Sequence, residues 1–122
     1  MAARGPEGFP RRVRLTDPKR YQEVFKSGKR VRHASVGIIA APNGLTYARL
    51  GLAVSRKVSR RAVMRNTIKR RIREFFRHQQ GRLPALDFVV IAYPDAATAA
   101  SGEFAATLLR LLQKISPLCA SS

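Results

Sequence analysis

Between Arg56 and Arg77 the chain carries ten Lys or Arg and a single acid, Glu74. Within this run Met64, Ile68, Ile72 and Phe75 recur at helical spacing, with Phe76 at the margin, so at about 100° per residue they form one stripe. Such a helix is constrained on both sides: its apolar stripe must rest on a core and its charges must face outward. Arg61, Arg65, Lys69, Arg73 and Arg77 then follow at i, i+4 along the stripe's border, each step advancing about 6 Å along the axis. Asn66 and Arg70 widen the row into a face, and the small side chain of Ala62 lets another backbone approach. Like charges at this spacing destabilise an isolated helix by about 0.2–0.5 kcal/mol per pair, and no interleaved glutamates relieve them. Guanidinium is a planar fork suited to gripping phosphate with two hydrogen bonds. The row therefore predicts a nucleic-acid backbone as its partner.

The rest of the composition agrees. Twenty-four Lys and Arg against seven Asp and Glu give a net charge of +17 and a pI near 11.7. A compact body with that imbalance repels itself, and a polyanion relieves it through counterion release. A membrane surface is the weaker alternative, because no apolar run approaches the ~18 residues of a membrane span. The 45% hydrophobic content over 122 residues is enough for one folded domain. The first residues lack an apolar signal core, which predicts no export. Cys119 is the only cysteine and there are two histidines, so neither an internal disulfide nor a Cys-rich zinc site is expected. These features point to the cytoplasm.

Along the chain, residues 1–14 mix Gly and Pro with Arg4, Arg11, Arg12 and Arg14 and read as a flexible basic arm. Asp17 is a candidate N-cap with Pro18 at the first helical position, and Gly28 suits the exit. Val36 to Ala41 is an apolar run ending in the turn signal Pro42-Asn43-Gly44. A second strand begins near Tyr47, where bulky Leu50, Leu52 and Val54 alternate with Gly51, Ala53 and Ser55. The spacing predicts that these two strands pair as a hairpin. The basic helix spans about 60–78. Asp87 to Tyr93 is a short apolar strand, and Ser101 caps a last helix with Glu103 in its first turn. That helix carries the stripe Phe104, Leu108, Leu111, Leu112 and Ile115, and Pro117 is expected to end it, leaving 117–122 as a flexible tail. The order of elements predicts a single α+β sandwich over 15–116.

The stretch Arg56-Lys57-Val58-Ser59-Arg60-Arg61-Ala62-Val63-Met64-Arg65-Asn66-Thr67-Ile68-Lys69-Arg70-Arg71-Ile72-Arg73-Glu74 closely resembles the signature of the bacterial ribonuclease P protein family, whose core is A-x-x-R-N-x-x-K-R-x-x-R-E. Supporting matches are Phe25-Lys26-Ser27-Gly28, Pro42-Asn43-Gly44, the run Arg49 to Ser55 and the run Leu83 to Ala92, so the resemblance covers residues 11–116. It implies a four-stranded sheet with three helices and a left-handed βαβ crossover, as in the second domain of a ribosomal protein. It implies a non-catalytic protein subunit of a ribonucleoprotein endoribonuclease that hydrolytically removes the 5′ leader of precursor tRNA. The RNA subunit would bind magnesium and perform the cleavage, with no cofactor on the protein and no small-molecule substrate.

Carried over by position, Arg56, Lys57, Arg61, Ala62, Arg65, Asn66, Lys69, Arg70 and Arg73 would face the RNA subunit. Tyr21 and Phe25 would stack leader bases in a cleft between the first helix and the sheet, where an aromatic face accepts any base. Many members carry Phe and Tyr on the first cleft strand, but this chain has Val36 and Ile39. Leader contacts would then rely on Ile39 packing and on Arg32 and Arg49, with Gly51 and Ala53 leaving room for the strand. Two rivals remain. A self-sufficient nuclease needs clustered carboxylates around metal ions or two cooperating histidines. The acids here are scattered, Glu74 is placed to pair with a neighbouring Arg, and His33 and His78 read as surface residues. A ribosomal or ribosome-assembly RNA-binding protein shares the charge and size but does not need the signature helix.

Overall fold

In the computed structural model of this chain, the described residues are 14–33, 36–54, 57, 59–94 and 101–120. The order is α1 (Pro18–Ser27), β1 (Lys29–His33), β2 (Val36–Pro42), β3 (Arg49–Val54), α2 (Ala62–Gln79), β4 (Leu86–Ala92) and α3 (Ser101–Ala120), with a 3-10 turn at Gln80–Arg82. Asp17 caps α1 by accepting from the Lys19 N–H, and Pro18 opens the helix. The basic arm lies, except for Arg14, outside the described residues, as do the side chains of Ser101 and Glu103.

The sheet order is β1-β2-β4-β3, which corrects the expected pairing of β2 with β3. β2 instead forms antiparallel ladders with β1 and β4, while β3 runs parallel to β4. The physical reason is burial. β4 is apolar along almost its whole length and has no solvent-tolerant face, so it takes an interior place in the sheet. Pro42-Asn43-Gly44 still turns the chain, with Gly44 at φ 68° and the Asn43 side chain accepting from the Leu45 N–H. It carries the chain across β4 to the far edge rather than into a hairpin. The β1 strand, with its run of Lys29, Arg30, Arg32 and His33, lacks an apolar signature and pairs as a charged edge.

α2 crosses between β3 and β4. The Leu50 carbonyl and the Leu52 N–H point to the outer edge of β3, where they meet the Leu15 N–H and the Tyr21 hydroxyl, while both side chains face the α2 side. With L-residues, that arrangement puts β4 to the left of an upward β3 seen from α2. The crossover is therefore left-handed, against the general preference.

Two apolar layers result. On one face Val36, Ile38, Leu50, Phe88 and Val90 meet α2 and the full α3 stripe. On α2 the buried residues are Ile68, Ile72 and Phe76, so the stripe is centred on Phe76 rather than Phe75. Phe76 stacks edge-on against Phe88 with centroids 5.7 Å apart. On the other face Val24 of α1 lies over Ile39, Ala41 and Val89, joined by Leu15. α3 continues through Pro117 to Ala120 instead of stopping there. An interior proline removes one N–H donor and kinks or breaks a helix; here the helix continues past it, and the Ser116 hydroxyl donates to the Leu112 carbonyl in the preceding turn.

Gly28 joins α1 to β1 with an ordinary φ of -73°, so what matters is its lack of a side chain. A Cβ there would lie 2.6 Å from the Val24 carbonyl oxygen, 2.7 Å from Ile39 Cγ2 and 2.9 Å from the Ala40 carbonyl oxygen. Gly28→Ala is expected to push α1 off the sheet and cost about 2 kcal/mol, the range for overpacking. Urea denaturation checks this; an unchanged midpoint would show that the contact yields freely.

Candidate nucleic-acid interface

α2 holds its cations where its apolar side places them. Lys69 and Arg65 are half-buried at the border of the buried stripe, and Arg61, Ala62, Asn66, Arg70 and Arg73 are exposed, as is Lys57 just before the helix. Arg56 lies outside the described residues. Arg65 Nη1 donates to the Ser59 and Arg60 carbonyls at 2.9 and 3.1 Å, which ties the approach loop to the helix. Among the described residues, Arg61, Arg65, Lys69, Arg70 and Arg73 have no carboxylate ion pair. Glu74 is engaged lower down by Arg77 at 2.8 Å and His78 at 3.6 Å. The Arg77 hydrogen bond holds the Glu74 carboxyl below its usual pKa. No acid occupies the first turn of α2, so the positive end of its dipole adds to the cationic field.

The groove between α1 and the sheet is built differently from expectation. Tyr21 and Phe25 are half-buried against the Val24 layer. The Tyr21 hydroxyl accepts from the Leu52 N–H at 3.0 Å, and its Oη lies only 2.5 Å from where a Gly51 Cβ would stand. The space above Gly51 is thus taken by Tyr21 and is not open for a ligand strand. Ile39 is 2% exposed beneath α1, which removes it from the accessible surface. Arg30 donates to the Phe25 carbonyl at the end of α1.

Arg49 is also reassigned. It grips Asp87 with two bonds, Nε to Oδ1 at 2.8 Å and Nη2 to Oδ2 at 2.7 Å. Arg20 of α1 donates to Asp87 Oδ2 at 2.7 Å and to the Pro42 carbonyl at 2.7 Å, and Asn43 donates to Asp87 Oδ1 at 3.0 Å. Burial pushes the Asp87 pKa up, but the hydrogen bonds from Arg49, Arg20 and Asn43 outweigh it and hold the carboxyl below its ordinary value. A buried carboxylate at an even strand position of an apolar run was the available sequence signal for this clasp. It fastens α1 to β4 and leaves Arg49 committed within the fold.

An open groove of about 600 Å³ lies at the ends of β3 and β4: Ala53, Ile91 and Tyr93 line it from the α1 face, Leu52, Val54 and Ala92 from the α2 face, and Lys57 and Lys69 border it, while Arg32 lies over the Tyr93 ring. Lys69 also borders a second groove of about 270 Å³, together with Arg14, Tyr21 and Arg73. Tyr93 escapes a reading of the sequence because it directly follows a buried strand and resembles one more core residue. Among the described residues, no group of three His, Cys, Asp or Glu is placed to hold a metal ion, and no helix is long and apolar enough to cross a membrane.

Fold and surface together define a small basic α+β protein with a cationic helix beside β3 and an open groove at the ends of β3 and β4. The sequence matches the Ribonuclease P family over residues 9–116. It is 45% identical over 107 residues to the ribonuclease P protein component of Methylococcus capsulatus, covering 88% of this chain and 80% of that one. The corresponding protein of Thioalkalivibrio sulfidiphilus is 39% identical over 115 residues, covering 94% and 96%. The RNase P protein of Staphylococcus aureus superposes with a TM-score of 0.81 at 30% identity, covering 85% of this chain and 95% of that one. The Thermotoga maritima protein gives 0.77 at 32%, covering 84% and 97%. This chain belongs to the ribonuclease P protein family.

Proposed function

We propose that this chain is the protein subunit of a ribonuclease P holoenzyme in the bacterial cytoplasm. Through α2 it binds the catalytic RNA subunit, and through the α1 face of its sheet it holds the single-stranded 5′ leader of precursor tRNA. Bond cleavage is left to the RNA and the magnesium that the RNA binds. The observation that carries this reading is the row Arg61, Arg65, Lys69 and Arg73, anchored by Ile68, Ile72 and Phe76 and without a carboxylate ion pair among the described residues. A protein that needed these charges only for solubility would interleave acids among them.

The self-sufficient nuclease finds little support, since the buried acid Asp87 is spent on two arginines and Glu74 on Arg77 and His78. A ribosomal or ribosome-assembly role is disfavoured by the family match over residues 9–116. The test is reconstitution with a ribonuclease P RNA at low magnesium. The protein is expected to restore cleavage at the mature 5′ boundary, and protein alone is expected to leave precursor intact. Phe25→Ala is expected to weaken precursor binding about tenfold, as loss of one base–aromatic stack does, while sparing mature tRNA. Equal losses for both substrates would remove the leader from this face.

A further inference from the structure

Tyr93 is held by three strands at once. It continues the α1-facing positions Asp87, Val89 and Ile91 of β4, and its ring leans across β2 at Gly37. A Cβ on Gly37 would meet Tyr93 Cε2 at 3.3 Å and its hydroxyl at 3.4 Å, so the absent side chain leaves space for the ring. Gly37 is the register partner of both Arg32 on β1 and Ile91 on β4. From β1, Arg32 places its Cζ 3.6 Å from the ring centroid. Among the described residues Arg32 has no carboxylate partner, so the tyrosine face is its principal contact.

A ring needed only as core filler would be buried. Tyr93 is half-exposed, and it lines the 600 Å³ groove with the apolar Ala53 and Ile91, beside Leu52 and Val54 and with Lys57 and Lys69 bordering it. A guanidinium over an aromatic face is attractive and restricts how the ring can turn. Arg32 takes one face of the ring, so a planar apolar ligand would meet the part of the half-exposed ring that Arg32 leaves uncovered, with positive charge close by for the anion that accompanies it. An unstacked nucleobase with its phosphate has that chemistry.

We propose that Tyr93, oriented by Arg32, is a nucleobase-stacking platform that takes one unpaired base of the leader, at the end of the groove away from the Asp87 clasp. This rests on the leader reading given above. It also supplies an aromatic contact from β4 where β2 offers none, because Val36 faces the α3 layer and Ile39 is covered by α1. Arg32 is a positioning residue in this arrangement, and the stack reads the presence of a base rather than its identity.

The experiment scans the leader with single abasic nucleotides in the reconstituted holoenzyme and measures precursor binding. For the unaltered protein, one leader position is expected to lose about tenfold on removal of its base, within the range of a single base–aromatic stack. Tyr93→Ala should lose about tenfold on intact leader and show no further loss at that position, while mature tRNA binds unchanged. Tyr93→Phe should keep the sensitivity. Tyr93→Leu preserves apolar bulk without a π face and should lose the sensitivity, which separates stacking from folding. Arg32→Ala should blunt the sensitivity without shifting it to another position. An abasic profile that Tyr93→Ala and Tyr93→Leu leave unchanged overturns the proposal. If Phe25→Ala still separates precursor from mature tRNA in that case, only this subsite fails; if it does not, the leader reading fails with it.

Discussion

Replacing Arg65, Lys69 and Arg73 together by alanine is expected to weaken binding to ribonuclease P RNA by roughly 10²–10³-fold near 0.1 M salt. Each cation that neutralises a phosphate releases counterions and contributes about 0.7–0.9 to the slope of log K against log salt. Losing three contacts should therefore flatten that slope by about 2–3. The fold itself should tolerate the change. Lys69 and Arg73 lie at i, i+4, so their removal relieves a repulsion of about 0.2–0.5 kcal/mol, partly offset by the lost Arg65 bonds to the Ser59 and Arg60 carbonyls. Thermal unfolding and salt-dependent titration together provide the check. A folded triple variant with the original salt slope would mean that the row does not touch phosphate.

Asp87→Asn is expected to destabilise the protein by about 3 kcal/mol, lowering the unfolding midpoint by about 10 °C. Removing one partner of a buried pair leaves the other charges uncompensated, a cost of about 3–5 kcal/mol. The lower end applies because Arg20 and Arg49 are 22% and 26% exposed and can turn toward water. The pH dependence has a definite sign. The Asp87 pKa is lowered in the folded state, so the unfolded chain binds the proton more readily. Its contribution is complete above the ordinary carboxylate value near ~3.9 and is lost as pH falls through the lowered folded value. The stability gap between parent and Asp87→Asn should thus be constant from pH 7 to about 5 and shrink in stronger acid. A gap that persists unchanged at pH 2 would exclude ionised Asp87 as its source. Because Arg20 sits on α1, the same substitution should also loosen the groove and weaken leader binding.

These effects sort the residues by how far a sequence can speak for them. The Asp17-Pro18 start of α1, the apolar stripes of α2 and α3 and the cationic row are local, periodic patterns, and each maps to its element within a residue or two. Ile39, Arg49 and Gly51 could not be assigned that way. Ile39 and Gly51 are occupied by neighbours distant in sequence, α1 and Tyr21, and Arg49 by a carboxylate 38 residues away. Tyr93 is the converse case, since a ring that resembles core stays half-exposed, held in place by Gly37 and Arg32.

Periodicity and charge in the chain alone determined three amphipathic helices, an apolar strand and an outward row of guanidinium groups aimed at a polyanion. Side-chain period depends on local backbone geometry, so it is legible residue by residue. Which strand neighbours which, and so where a groove stays open, depends on which apolar surfaces find one another across the chain. Burial of β4 between β2 and β3 decided that, and with it the place of the Asp87 clasp.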